Sequence, residues 1–186
     1  PPLDVMDLVV DQNKIYAAIS GRGIFVSNNN GINWSALNNG LTNNKVWSLG
    51  AKNNHLYAGL PDVFEGTYYS ENGGASWNKT QANVLSRATS FLLLNSVVFV
   101  GMEGPGVAYS SYNNVWTKVN EGFIDIPNVY SLAESNGILY AGLFQNGVWK
   151  RALSEISTSS TNDITTQGKK KLQVNLSPIP ANEVVI

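Results

Sequence analysis

The chain contains no cysteine and only one histidine among its 186 residues. Lack of cysteine removes disulfides, thiolate metal sites and cysteine nucleophiles together. A lone His55, in the turn Lys52-Asn53-Asn54-His55, is poor material for a Ser-His-Asp triad or a histidine-based zinc site and reads as an exposed turn residue. Charge is also scarce: 13 % of residues are charged, and 12 Lys+Arg against 13 Asp+Glu leave a net charge of -1. That balance provides no basic footprint for nucleic acid and no polybasic membrane patch. No apolar run approaches the roughly 18 residues of a membrane helix; Phe91-Leu92-Leu93-Leu94 stops at Asn95. Neither an initiator methionine nor a signal peptide precedes Pro1-Pro2, so the sequence reads as a piece of something longer. There is no Asp-x-Asp-x-Asp-Gly calcium loop and no glycine-rich phosphate loop leading into a helix, so no metal and no cofactor is expected.

What is abundant is strand and turn chemistry. Hydrophobic residues make up 43 % and aromatics 10 %, beside 17 glycines and many asparagines. Such a chain can bury a core and favours an all-β fold. Four short motifs recur: Ile15-Tyr16-Ala17-Ala18, Leu56-Tyr57-Ala58-Gly59, Val98-Phe99-Val100-Gly101 and Leu139-Tyr140-Ala141-Gly142. Their aromatics stand 41, 42 and 41 residues apart. A strand-like stretch comes before each (Val5 to Leu8, Val46 to Leu49, Ala88 to Phe91, Val129 to Leu132), and a glycine with a short apolar run comes after. Three of the four units then reach a tryptophan, Trp34, Trp77 or Trp116.

A period near 41 with four short strands per unit predicts blades of a β-propeller, each covering the apolar face of its neighbour. Ala18, Gly59, Gly101 and Gly142 are small where blades crowd together. The fourth unit is incomplete, because no tryptophan strand follows Trp149-Lys150-Arg151. An isolated four-unit arc would leave an apolar face uncovered, so further blades are expected upstream of Pro1. The predicted organisation is blades over residues 1–153, a Ser/Thr/Lys-rich linker over 154–171 and a separate C-terminal element over 172–186.

Two stretches carry family resemblances. Ser27-Asn28-Asn29-Asn30-Gly31-Ile32-Asn33-Trp34 and Ser70-Glu71-Asn72-Gly73-Gly74-Ala75-Ser76-Trp77 resemble the Asp-box, or bacterial neuraminidase repeat, Ser-x-Asp-x-Gly-x-Thr-Trp. Asn29 and Asn72 take the Asp position, and a shortened third copy runs from Ser110 to Trp116 without the glycine. The box occurs in sialidases, sortilin-type receptors and xyloglucan-degrading hydrolases, where it is a structural turn. The resemblance therefore implies a fold, with Ser27, Asn29, Gly31, Trp34, Ser70, Asn72, Gly74, Trp77, Ser110 and Trp116 as turn and packing residues. Asn retains the side-chain-to-backbone bonds of Asp, and each tryptophan is expected to pack between blades with its N–H satisfied locally. The second resemblance begins at Val174, in Leu176-Ser177-Pro178-Ile179-Pro180-Ala181-Asn182-Glu183-Val184-Val185-Ile186. It is similar to the opening of the C-terminal sorting domain of the type IX secretion system of Bacteroidetes, matched at Pro178, Pro180, Ala181 and the apolar finish, with Asn182 inside the motif. Ser177 and Ile179 depart from that pattern. The resemblance implies handling by type IX secretion machinery and a secreted or cell-surface bacterial protein.

Catalytic chemistry is thinly represented. The sialidase arginine triad cannot be mapped, since Arg22, Arg87 and Arg151 are the only arginines and none lies in that family's entry motif. Glycoside hydrolysis needs two facing carboxylates. The repeat places Arg22, Asp62, Glu65, Glu103 and Asn146 in the loops between second and third strands, and Glu121 and Asp125 in the blade-to-blade loops. A pair from Asp62, Glu65 and Glu103 is the carboxylate grouping to consider, although solvated surface acids are the commoner explanation. The sequence predicts a secreted or cell-surface module, more binding than catalytic, taking a glycan or protein ligand through this loop face. A secreted glycoside hydrolase, sialidase-like or xyloglucanase-like with carboxylates partly outside this segment, and an assembly scaffold are the alternatives.

Overall fold

A computed structural model describes residues 3–62, 66–80, 86–95, 97–112, 114–123 and 127–156. The first blade is a four-stranded antiparallel sheet of β1 (Val5–Asp11), β2 (Lys14–Ile19), β3 (Gly23–Ser27) and β4 (Ser35–Ala36). β5 (Ser48–Lys52), β6 (His55–Gly59), β7 (Thr67–Ser70) and β8 (Asn78–Lys79) form the second. The third holds β9 (Ala88–Leu93), β10 (Val98–Met102), β11 (Gly106–Ser110) and β12 (Thr117–Lys118). Among the described residues the fourth consists of β13 (Val129–Ser135), β14 (Ile138–Leu143) and β15 (Gly147–Ala152), without a tryptophan strand. Tight hairpins join first and second strands where residues tolerate positive φ. Asn53-Asn54 (52° and 66°) and Asn136-Gly137 (53° and 75°) have the two left-handed positions that match strand twist.

The inner strands β1, β5, β9 and β13 lie side by side, and the apolar clusters sit between consecutive sheets. Tyr16 and Ile24 of the first blade pack on Leu49, Leu56, Tyr68 and Trp77 of the second. Tyr57 of the second meets Val98, Val100 and Trp116 of the third, and Phe99 and Tyr109 of the third meet Leu139, Ala141 and Trp149 of the fourth. The repeated aromatic of each blade thus points at its successor. Tyr140 is only part-buried, since no fifth blade exists among the described residues. These are stacked blades of a β-propeller. The small residues follow from the same stacking: a Cβ on Gly59 would fall 2.6 Å from the Ala88 carbonyl oxygen of the next blade, and one on Gly101 would fall 2.6 Å from Val129 Cγ1.

Burial separates the two ends from the middle. Leu8 and Leu49 hold equivalent register positions, opposite Ala17 and Ala58, yet Leu8 is 57 % exposed and Leu49 2 %. Trp34 is 40 % exposed for the same reason, whereas Trp77 and Trp116 are buried between blades. The packed chain extends past Ala152 through a short 3-10 turn, Leu153–Glu155, to Ile156, which is buried against the fourth blade. The rest of the predicted linker and the whole segment 172–186, including Pro178, Pro180, Ala181 and Asn182, lie outside the described residues.

Both full asparagine turns have the same geometry. Ser27 Oγ and Ser70 Oγ donate to Asn29 Oδ1 and Asn72 Oδ1 (3.0 and 2.8 Å). They accept from Gly31 N and Gly74 N (2.8 and 2.9 Å), while Asn33 N and Ser76 N donate to those Oδ1 atoms. A neutral amide oxygen accepts these bonds as a carboxylate would, so no charge is needed. The tryptophans differ from the expectation of local satisfaction. Trp34 Nε1 donates within its own turn to Gly31 O (3.0 Å), but Trp77 Nε1 reaches back to Leu37 O of the first blade (2.8 Å), and Trp116 Nε1 is buried without a partner among the described residues.

Candidate functional site

Three of the four inner strands begin with an irregularity. Pairing shifts register between Val5 and Asp7, between Gly101 and Met102 opposite Ser90 and Ala88, and between Val129 and Ser131. The residues passed over are Met6, Thr89 and Tyr130, with Trp47 at the same place just ahead of β5. A bulge turns a side chain out of the ladder and re-aims it. Here all four line one cavity of about 290 Å³, where the inner strands converge at the end that carries the loops between second and third strands.

Around its mouth the loops are tied together. Arg87 Nη1 donates to Glu103 Oε2 (2.6 Å), and Arg87 Nε donates to Pro61 O (2.5 Å). Tyr130 Oη donates to Glu103 Oε1 (3.0 Å), and Gly104 N to Asn128 Oδ1 (2.8 Å). The Arg87 guanidinium also lies 5.6 Å from the Trp47 ring centroid, a cation–π geometry. Hydrogen bonding to the Glu103 carboxylate raises the Tyr130 phenol above its ordinary pKa. Trp47 (42 %), Tyr130 (49 %) and Phe144 (53 %) are all open to solvent here, the last two with rings 5.8 Å apart. Below them, Asp7 accepts from Leu8 N (2.8 Å) and Leu49 N (2.7 Å), and burial pushes its carboxyl above the usual carboxylate range.

The residues expected on the loop face are thus divided. Glu103 is at the centre, and Asp62 is in the exposed loop whose Pro61 carbonyl holds Arg87. Arg22 and Asn146 are exposed in the corresponding turns of the first and fourth blades. Glu121 stands elsewhere, with its carboxylate 2.6 Å from Arg151 near the far end of β15, and that guanidinium lowers its pKa. Glu65 and Asp125 lie outside the described residues. His55, expected as an exposed turn residue, is half-buried at the start of β6 with its ring 4.8 Å from that of Tyr112 in a tilted arrangement, away from the cavity lining. Among the described residues no group of three His, Asp or Glu could hold a metal ion. Both oxygens of Glu103 are engaged, one by Arg87 and the other by Tyr130. Sequence reasoning missed Trp47, Arg87, Tyr130, Phe144 and Asp7. One signal was available: Met6, Trp47, Thr89 and Tyr130 occupy one repeat position yet differ in kind, whereas the positions that pack stay alike.

No family model and no curated protein matches the chain. Solved structures do. It superposes with TM-score 0.60 and 20 % identity on an ancestral GH74 enzyme, covering 82 % of this chain and 25 % of that one. The values for the Niastella koreensis GH74 enzyme are 0.61 and 15 %, over 81 % and 29 %. For YCF48 bound to D1 peptide they are 0.59 and 12 %, over 75 % and 46 %. The chain spans about a quarter to a half of the length of these proteins. At such identities the likeness is one of fold, the β-propeller.

Proposed function

We propose that the chain is a non-catalytic recognition module of the bacterial cell exterior that binds a glycan or a protein through the loop face around Trp47, Glu103 and Tyr130. One observation carries this reading: three solvent-open aromatic rings gather at the end of the blades where Arg87 and Glu103 brace the loops. Aromatic rings half open to solvent are the usual platform for sugar rings or peptide side chains. Support for a peptide comes from a propeller of this fold solved with a peptide bound; support for a glycan comes from the GH74 enzymes that share the fold. Export through type IX machinery rests on the resemblance of residues 174–186 to a sorting-domain opening. The Ser-x-Asn turns are read as Asp-boxes in a structural role.

The test is a glycan array and a peptide array probed with the 186-residue protein and with Trp47→Ala and Tyr130→Ala. Captured ligands should lose at least about tenfold in signal in both variants, while melting temperatures stay within a few degrees. Equal capture by the variants would overturn the reading. Turnover of an arrayed glycan, abolished by Glu103→Gln or Asp62→Ala, would replace it with the hydrolase.

A further inference from the structure

Asp7 is an exception within the repeat. Its register partner is Ala18, and the residues at the same place in the other blades are Ser48, Ser90 and Ser131, opposite Gly59, Gly101 and Gly142. In the third blade that serine already serves as a latch, Ser90 Oγ accepting from Leu132 N of the next blade (3.1 Å). Asp7 Oδ2 makes the same latch to Leu49 N. A hydroxyl suffices for the bond, so the negative charge of Asp7 is not needed to join the blades. Nor is it neutralised: among the described residues the ion pairs involve Glu103, Glu121 and Glu155, and the acceptor bonds of Asp7 come from backbone N–H groups. A part-buried carboxylate without a counter-ion is costly.

The surroundings of that charge are suited to a cation. Asp7 shares its cavity with Met6 and the aromatic residues Trp47, Phe91 and Tyr130. Ring faces attract alkylammonium and guanidinium groups, and desolvation strengthens the attraction. Trp47 already serves in that way for Arg87, whose own charge is answered by Glu103 at 2.6 Å. About 290 Å³ leaves room for a side-chain head with water.

We propose that this cavity binds an alkylammonium group, the end of a lysine side chain or a quaternary amine, with Asp7 as counter-charge and Trp47 and Tyr130 as walls. The proposal rests on reading the loop face as a recognition surface, and it narrows the partner to one that presents a positive charge. Along the inner strands Asp7 follows by one residue the repeat position of the exposed Trp47 and Tyr130, so a ligand entering from the loop face passes those rings before it meets the carboxylate.

The experiment is a calorimetric and NMR titration of the 186-residue protein with Nα-acetyl-lysine methylamide, with choline and with the neutral Nα-acetyl-norleucine methylamide. Wild type is compared with Asp7→Ser, Asp7→Asn and Trp47→Ala. Asp7→Ser should fold, because serine fills the same place in three blades. A cationic probe should bind in the millimolar range, with the Trp47 indole resonance shifted and the norleucine probe at least about tenfold weaker. Asp7→Ser and Asp7→Asn should weaken the cation about tenfold without lowering the melting temperature. Binding of the lysine probe marks a protein partner; binding of choline alone marks a free or lipid-borne quaternary amine. Equal affinity for lysine and norleucine probes, or a cation affinity untouched in Asp7→Ser, would overturn the proposal. Array ligands lost in Trp47→Ala but retained in Asp7→Ser would overturn it too, and would leave the recognition surface standing.

Discussion

Replacing Leu49 by alanine should cost about 3 kcal/mol, while the same replacement at Leu8 should cost under about 1 kcal/mol. The two leucines occupy one repeat position, share the inner-strand setting and differ in what lies against them. Leu49 is 2 % exposed in a cluster with Tyr16, Ala18 and Ile24 of the preceding blade, so truncation leaves a walled cavity beside lost transfer energy. Leu8 is 57 % exposed, so roughly half its transfer energy is at stake and no closed cavity forms. In a domain of this size 1 kcal/mol moves the melting temperature by about 2–4 °C, which gives a fall of about 6–12 °C for Leu49→Ala and a few degrees at most for Leu8→Ala. Thermal unfolding followed by circular dichroism, with urea midpoints as a second measure, reads both values. Equal losses at the two positions would refute blade-on-blade burial as the source of stability.

Ser70→Ala should lose about 1–3 kcal/mol in urea unfolding, since a buried hydroxyl that bonds Asn72 Oδ1 and Gly74 N disappears and leaves Gly74 N unpaired. Gly59→Ala should lower the melting temperature by several degrees, because its Cβ would lie 2.3 Å from Ser48 Oγ and 2.6 Å from Ala88 O. Asp7 has a folded-state pKa above its unfolded value, so the folded state holds its proton over a pH range in which the unfolded state releases it. Its contribution to stability therefore falls as pH rises through that window. Melting temperatures of Asp7→Asn against wild type should diverge in favour of the variant between acidic and neutral pH; an advantage that shrinks with rising pH would contradict the assignment.

The fold was legible because packing between blades repeats. Tyr16, Tyr57 and Phe99 each fill the gap to the next blade, and a gap that recurs every 41 or 42 residues demands an aromatic at that interval. Gly59 and Gly101 were legible on the same ground, as places where the neighbour's backbone or side chain comes within 3 Å of a Cβ. Most of the candidate site was not legible. An alternating strand pattern assigns Met6, Thr89 and Tyr130 to a sheet face, but a register shift takes each of them out of the ladder and toward the cavity. Nothing in residue type signals a bulge. Glu103 could be placed because turn position follows from the repeat, whereas its partners Arg87 and Tyr130 come from a different connection and strand and meet it only through the fold. Glu121 was misleading in the opposite sense: its loop leads toward the loop face, yet Arg151 draws its carboxylate to the outer side of the fourth blade.

Trp34 and Trp47 provide the most direct measurement. They are almost equally exposed, 40 % and 42 %, one on the outward side of the first blade and the other at the cavity mouth. With array-captured ligand in hand, Trp47→Ala should abolish binding and Trp34→Ala should leave it within about twofold of wild type. Loss of binding in Trp34→Ala with retention in Trp47→Ala would contradict the account.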